Sequence, residues 1–217
     1  MSLDRNGGMA ALCGLWLAMC LGSATAAVKT QQWNFEVSLD DAVIGHHSYV
    51  LRETGAGREL KAEARFEVKY LFITAYHYAH DVSERWRGNC LRELSASTDD
   101  NGEHSDVSLQ QQGGRMMINA LWGQKRVDDC VMSFAYWNPE ILQQTRLLNA
   151  QTGRLEPVMV TALGEDRIVS RGSTVDARHY RISGTKHPID LWYGADQQWL
   201  ALQSTLDKGR ILRYQLK

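Results

Sequence analysis

The chain has 217 residues, 44% of them hydrophobic and 23% charged, which is enough apolar material for a sizeable core. Its 24 basic and 25 acidic side chains nearly cancel to a net charge of −1. No extended basic run appears, so nucleic acid and anionic membrane surface are poor candidate partners.

The amino-terminal stretch has the pattern of an export signal. A short segment with one arginine, Met1 to Gly8, precedes an apolar run from Met9 to Gly22, and Ser23-Ala24-Thr25-Ala26-Ala27 supplies a small-x-small cleavage site. Cleavage is expected after Ala26. The alternative is a retained membrane anchor, although the run is short of the roughly 20 apolar residues that a spanning helix needs. Leu17-Ala18-Met19-Cys20 approaches a lipoprotein box, but Met19 stands where a small residue is required. The remainder, 27–217, reads as a single domain that is periplasmic or secreted. Cys90 and Cys130 are left as a pair in a compartment where disulfides persist. No Cys or His lies near them at zinc-finger spacing, so a bridge is the expectation, with two separate buried thiols as the alternative.

From Gln32 onward strand patterns dominate. Trp33, Phe35 and Val37 alternate with Asn34, Glu36 and Ser38, and Leu39-Asp40-Asp41 turns the chain into a second strand from Val43 to Arg52. After Thr54 to Gly57, the residues Leu60, Ala62, Ala64, Phe66 and Val68 face one way and their charged neighbours the other, as in an antiparallel sheet with one dry face. The stretch from Glu59 to Arg87 has no Gly, Pro or Asn, so a bulge, bend or short helical break is expected near Tyr70 to Thr74. Beyond it Tyr76, Tyr78, His80, Val82, Glu84 and Trp86 share a face.

Gly88-Asn89 closes that strand, Cys90 to Thr98 forms another, and Asp99-Asp100-Asn101-Gly102 is a hairpin turn. Val107 to Gln111 and Met116 to Ala120 pair around Gly113-Gly114, whereas Leu121 to Asp129 carries no usable pattern. A helix is predicted over 139–149. Asn138 can cap it, Pro139 suits its first position, and Ile141, Leu142, Thr145 and Leu148 fall on one stripe. Strands follow at Glu156 to Ala162, Arg167 to Ser170 and Ala177 to Ser183. A three-stranded meander closes the chain at Ile189 to Tyr193, Trp199 to Gln203 and Arg210 to Leu216. About ten strands and one helix, with no βαβ alternation, predict a mainly β fold: a curved antiparallel sheet, a half-barrel, wrapping one α-helix.

Several blocks carry a family resemblance. Asp40 to His47, Tyr78-Ala79-His80 with Glu84-Arg85-Trp86, Thr98 to Gly102, Trp137-Asn138-Pro139 with Leu147-Leu148-Asn149 and Thr152-Gly153, and Asp190 to Tyr193 together resemble an uncharacterised family of exported bacterial proteins. The block from Trp137 to Gly153 is the most specific. The family has no assigned activity, so the resemblance implies export and fold but no mechanism. The pattern is also distantly similar to periplasmic lipoprotein carriers, which implies a curved sheet with an apolar cavity beside its helix; fold alone does not imply function. Cys90 and Cys130 stand outside the family pattern.

His80 and Glu84, on an aromatic face beside Tyr78 and Trp86, must be paired or shifted in pKa if buried. They are either a hydrogen-bonded structural pair or polar groups at the floor of a ligand cavity. Tyr78, His80, Glu84, Trp86, Trp137 and Asn138 are the candidate ligand-contacting residues. His46 and His47 point to opposite faces, as do His77 and His80, and no H-E-x-x-H occurs, so no metal site is expected. Neither G-x-S-x-G nor a phosphate-binding glycine loop is present, and no cofactor is expected. Trp33, Phe66, Phe72, Tyr76, Tyr78, Trp86, Trp192 and Trp199 could line a concave face or simply pack the core. The leading expectation is a monomeric periplasmic domain that binds or carries an apolar or lipid-like ligand. The alternatives are an envelope-modifying enzyme using His80 and Glu84 as acid and base, and an accessory domain docking on an envelope protein through a sheet edge.

Overall fold

The computed structural model describes Met1 and residues 28–70, 73–128 and 130–217. The expected export signal and Phe72 lie outside these residues. Among the described residues the strands are β1 (Lys29–Leu39), β2 (Ala42–Thr54), β3 (Gly57–Tyr70), β4 (Ile73–Arg87), β5 (Cys90–Asp100), β6 (Glu103–Gln112), β7 (Arg115–Ala120), β8 (Gly123–Val127), β9 (Arg146–Leu148), β10 (Leu155–Pro157), β11 (Met159–Ser170), β12 (Ser173–Ser183), β13 (Ile189–Tyr193), β14 (Trp199–Thr205) and β15 (Ile211–Leu216).

Thirteen of them form one antiparallel sheet in the order β11-β12-β13-β14-β15-β1-β2-β3-β4-β5-β6-β7-β8. Each neighbour is the next strand in sequence except at one seam, where β15 pairs with β1 through Phe35 opposite Leu216 and Val37 opposite Tyr214. Two meanders, β1–β8 and β11–β15, are thus joined by their first and last strands. The edges β8 and β11 do not pair with each other, so the sheet is open.

Turn chemistry sets the hairpins. Asn101 and Gly102 both take positive φ, 53° and 93°, and Asp99 Oδ1 accepts from the Gly102 amide at 2.8 Å, the geometry that a two-residue hairpin turn demands. Alternation sets the faces: Leu60, Ala62, Ala64 and Phe66 are buried while Lys61, Glu63 and Glu67 are exposed. At the expected bend, the β3–β4 register shifts between Val68 and Lys69, and Tyr70 pairs with Ile73.

The predicted α-helix over 139–149 is not formed. Asn138 does cap a helical start, its Oδ1 accepting from the Glu140 amide at 3.2 Å, with Pro139 next. The helix stops after one 3-10 turn, Pro139–Gln143, and Gln144 is extended at φ −86° and ψ 146°. A single short helix is marginal on its own, and here the backbone finds better partners elsewhere. Val158 donates to the Thr145 carbonyl, Leu148 donates to Met132, and β9 pairs with β10. The chain between β8 and β11 therefore lies against one face of the sheet as an irregular connector. Ile141, Leu147 and Leu148 are wholly buried within it, filling the place assigned to the helix.

Both meanders hold this connector. Leu91 bridges Val131, and the Cys90–Cys130 disulfide is formed beside that bridge. Trp137 meets Trp86 edge-to-face at 5.5 Å, and the Tyr193 hydroxyl donates to the Tyr136 carbonyl at 2.7 Å. Phe35, Tyr49 and Tyr136 surround the fully buried Trp199. Trp192 is a correction to the expected aromatic face. It lies on the opposite side of the sheet in a small second core with Ala177 and Leu200, stacked on His179 and donating to Asp166 at 2.9 Å.

Candidate functional site

Between the sheet and the connector is a cleft of about 500 Å³, within the ordinary range for small-molecule sites. Its apolar wall includes Leu60, Ala62, Val82, Leu202 and Leu212 from the sheet and Phe134 from the connector. β2, β4 and β15 contribute His47, Tyr49, Tyr78, His80, Glu84 and Tyr214 to its lining, and further polar residues, among them Ser133, Gln151, Glu156 and Lys186, come from the connector and the β12–β13 turn.

Strand alternation on β4 sends Tyr78, His80 and Glu84 to the connector side. Glu84 is 4% exposed and accepts two hydrogen bonds, from the Ser133 hydroxyl at 2.7 Å and from Trp86 Nε1 at 2.9 Å. Burial pushes its carboxyl up to about 7, against the downward pull of those two donors. His80 Nδ1 lies 2.8 Å from the Thr98 hydroxyl, and burial lowers its pKa to about 4, with Asp81 acting in the opposite sense. Tyr78 stacks on Phe66 at 5.3 Å and bonds through its hydroxyl to Gln151 of the connector.

His80 and Glu84 share the cleft but not a bond. They stand four residues apart on one strand, about 13 Å at the usual rise, and each is held by a different partner. Of the other candidates, Trp137 borders the cleft, its indole N–H buried without a partner and its ring covered by the Arg58 guanidinium at 4.7 Å. Trp86 and Asn138 lie behind the wall. Trp86 steadies Glu84, while Asn138 caps the 3-10 turn and donates to Asn89 at 3.3 Å.

A second polar cluster escaped the sequence reading. His47 on β2 is buried; its Nδ1 lies 3.1 Å from the Tyr49 hydroxyl and 3.4 Å from that of Tyr214, and its Nε2 has no partner. Burial lowers the imidazole pKa to about 3, with His80 and His46 contributing, and pushes both phenols upward. Period-2 alternation does place His47 and Tyr49 on one face. Tyr214 is 167 residues from His47, and the β15–β1 seam brings the two together.

A family model for a domain of unknown function, DUF6134, matches residues 35–217. The chain belongs to the DUF6134 family. The match covers the whole sheet apart from the start of β1, together with the connector and the cleft. No curated protein matches this DUF6134 chain. A solved structure does: the beta-barrel-like protein of the domain of unknown function DUF1849 from Brucella abortus is similar at a TM-score of 0.63, over 89% of this chain and 98% of that one. At 10% identity the likeness is one of fold.

Proposed function

We propose that this DUF6134 domain is an exported binding or carrier domain that holds an apolar or lipid-like ligand between the sheet and the connector. The cleft of about 500 Å³, with an apolar wall of Leu60, Ala62, Val82, Phe134, Leu202 and Leu212 set among polar neighbours, carries this reading. In it the sheet acts as a curved half-barrel resembling those of periplasmic lipoprotein carriers, with the connector in place of their helix. The amino-terminal export pattern and the Cys90–Cys130 disulfide support an oxidising compartment outside the cytoplasm.

The enzyme alternative has less support, because His80 and Glu84 share no hydrogen bond and each is tied to a structural partner. Docking through a sheet edge is also less favoured. Lys125 and Arg126 on β8, and Glu165 and Arg167 on β11, are exposed charges of the kind that discourage edge pairing.

The test is mass spectrometry of an organic extract of protein purified from intact cells, with an unrelated exported protein as control. Stoichiometric lipid is the expected result. A ligand-free protein that takes up no lipid on refolding with cell-envelope extract would overturn the proposal.

A further inference from the structure

On the face of the sheet turned away from the connector, beside Trp192, lies a second and smaller pocket. Just past the end of β11 the Arg171 amide donates to the Leu216 carbonyl at 3.0 Å, so the β11–β12 ribbon reaches back to the end of β15. Ile168 and Val169 thereby stand over β13–β15 and enclose about 290 Å³ with Trp192 and Ala201, near the lower end of the range for ligand sites. Register fixes the polar side of this pocket. Ala201 pairs with Gln215 and Gln203 with Arg213, so strand alternation brings all four to one face as neighbours. Arg213 Nε donates to Gln203 Oε1 at 3.3 Å, which leaves both Nη groups and the Gln203 amide N–H groups without a protein acceptor among the described residues. The half-buried Gln215 side chain has no partner among them either. Nearby carboxylates are engaged elsewhere. Asp190, paired with Gln203, takes two bonds from the Arg181 guanidinium at 2.7 and 2.9 Å, and Glu36, paired with Gln215, meets Lys217 at 2.8 Å. Asp166 accepts from Trp192 Nε1 and from the Arg167 amide, and does not line the pocket.

We propose that this pocket is a second ligand site, for a compact monocarboxylate whose charged end is held by Arg213 with Gln203 and Gln215 and whose apolar body rests against Trp192, Ala201 and Ile168. The free Nη pair of a guanidinium matches the two oxygens of a carboxylate, and such charge-assisted pairs are the strong ones. One cation borders the pocket and no carboxylate does among the described residues, so one negative charge is neutralised and a second is left over. A phosphate dianion is therefore a poorer fit than a carboxylate, and an amine is repelled. An uncharged amide loses the charge assistance and adds an N–H where donors already crowd. The proposal is independent of the lipid reading. The two pockets lie back to back across β14 and β15, where Leu202 and Tyr214 border both, and the carboxyls of Glu84 and Glu156 border the cleft alone.

Titration of the isotopically labelled protein with phenylacetate, phenylacetamide and phenyl phosphate, followed by NMR at low salt and about pH 8, tests this. Phenylacetate is expected to shift the Trp192 indole N–H signal saturably and to bind about tenfold more tightly than the amide, the gain of one charge-assisted hydrogen bond over a neutral one. Arg213→Gln should bring the acid down to the affinity of the amide. Arg213 is exposed and makes one hydrogen bond within the fold, so the melting temperature of that variant should match the parent. Equal affinity for acid and amide, tightest binding of phenyl phosphate, or no saturable shift below about 10 mM overturns the proposal. Shifts confined to residues of the cleft, such as Tyr78 and His80, overturn it as well, by placing the acid on the other face. The comparison of acid with amide on the unaltered protein requires no variant to fold, and lipid recovered or absent in the cleft leaves its outcome unaffected.

Discussion

Ser133 of the connector donates its hydroxyl to Glu84 of β4 at 2.7 Å, so that a buried carboxyl ties the connector to the sheet. The carboxyl is raised from 4.5 to about 7, so the folded protein binds a proton that the unfolded chain releases between those values. Stability therefore falls as pH rises through that window. Glu84→Gln should gain on the order of 3 kcal/mol relative to the parent between pH 5 and pH 8. Ser133→Ala, which removes one donor from the ionised form, should cost about 1–3 kcal/mol at pH 8. Urea denaturation at the two pH values measures both, and a Glu84→Gln difference independent of pH would contradict the assignment.

His47 gives a pH dependence of opposite sign. Its folded pKa of about 3 lies below the ordinary 6.5, so the unfolded chain takes up a proton that the folded one refuses. Its contribution is complete above pH 6.5 and is lost as pH falls toward 3. Between pH 7 and pH 4.5, His47→Phe should lose on the order of 2–3 kcal/mol less stability than the parent, whatever its absolute stability. Chemical denaturation across that range reads the difference in slope directly.

The Cys90–Cys130 bridge closes 40 residues of separation, from the start of β5 to the start of the connector. In the chain-entropy model such a loop contributes roughly 4 kcal/mol. Replacing both cysteines by serine should lower the denaturation midpoint accordingly. A reducing agent should destabilise the parent and leave the double variant unchanged.

Gly153 takes φ 68° where the β9–β10 turn meets the β6–β7 hairpin, and a Cβ there would stand 2.7 Å from Ala120 Cβ and 3.3 Å from Ile118 Cγ2. Backbone conformation and space both oppose a side chain. Gly153→Ala should cost about 1–3 kcal/mol, whereas Gly55→Ala, with nothing within 4 Å and no positive φ, should change little. Thermal unfolding of the two variants provides the comparison.

Much of the fold was legible in the sequence because the relevant physics is local. Alternation along Leu60 to Phe66 chose the buried face, Asp99 to Gly102 specified a hairpin, and Asn138-Pro139 announced a helical start. The same local reading carried that start too far. Ile141, Leu142 and Leu148 satisfy a helical stripe, but the Thr145 carbonyl and Leu148 amide are claimed by Val158 and Met132. Tertiary structure alone decided that outcome, along with the side of the sheet to which Trp192 belongs and the meeting of His47 with Tyr214. A strand pattern tells each residue which way to face, but not which distant strand will supply its neighbour. That choice is made by backbone hydrogen bonds formed across the whole chain, and here the β1–β15 seam places the polar cluster beside the cleft.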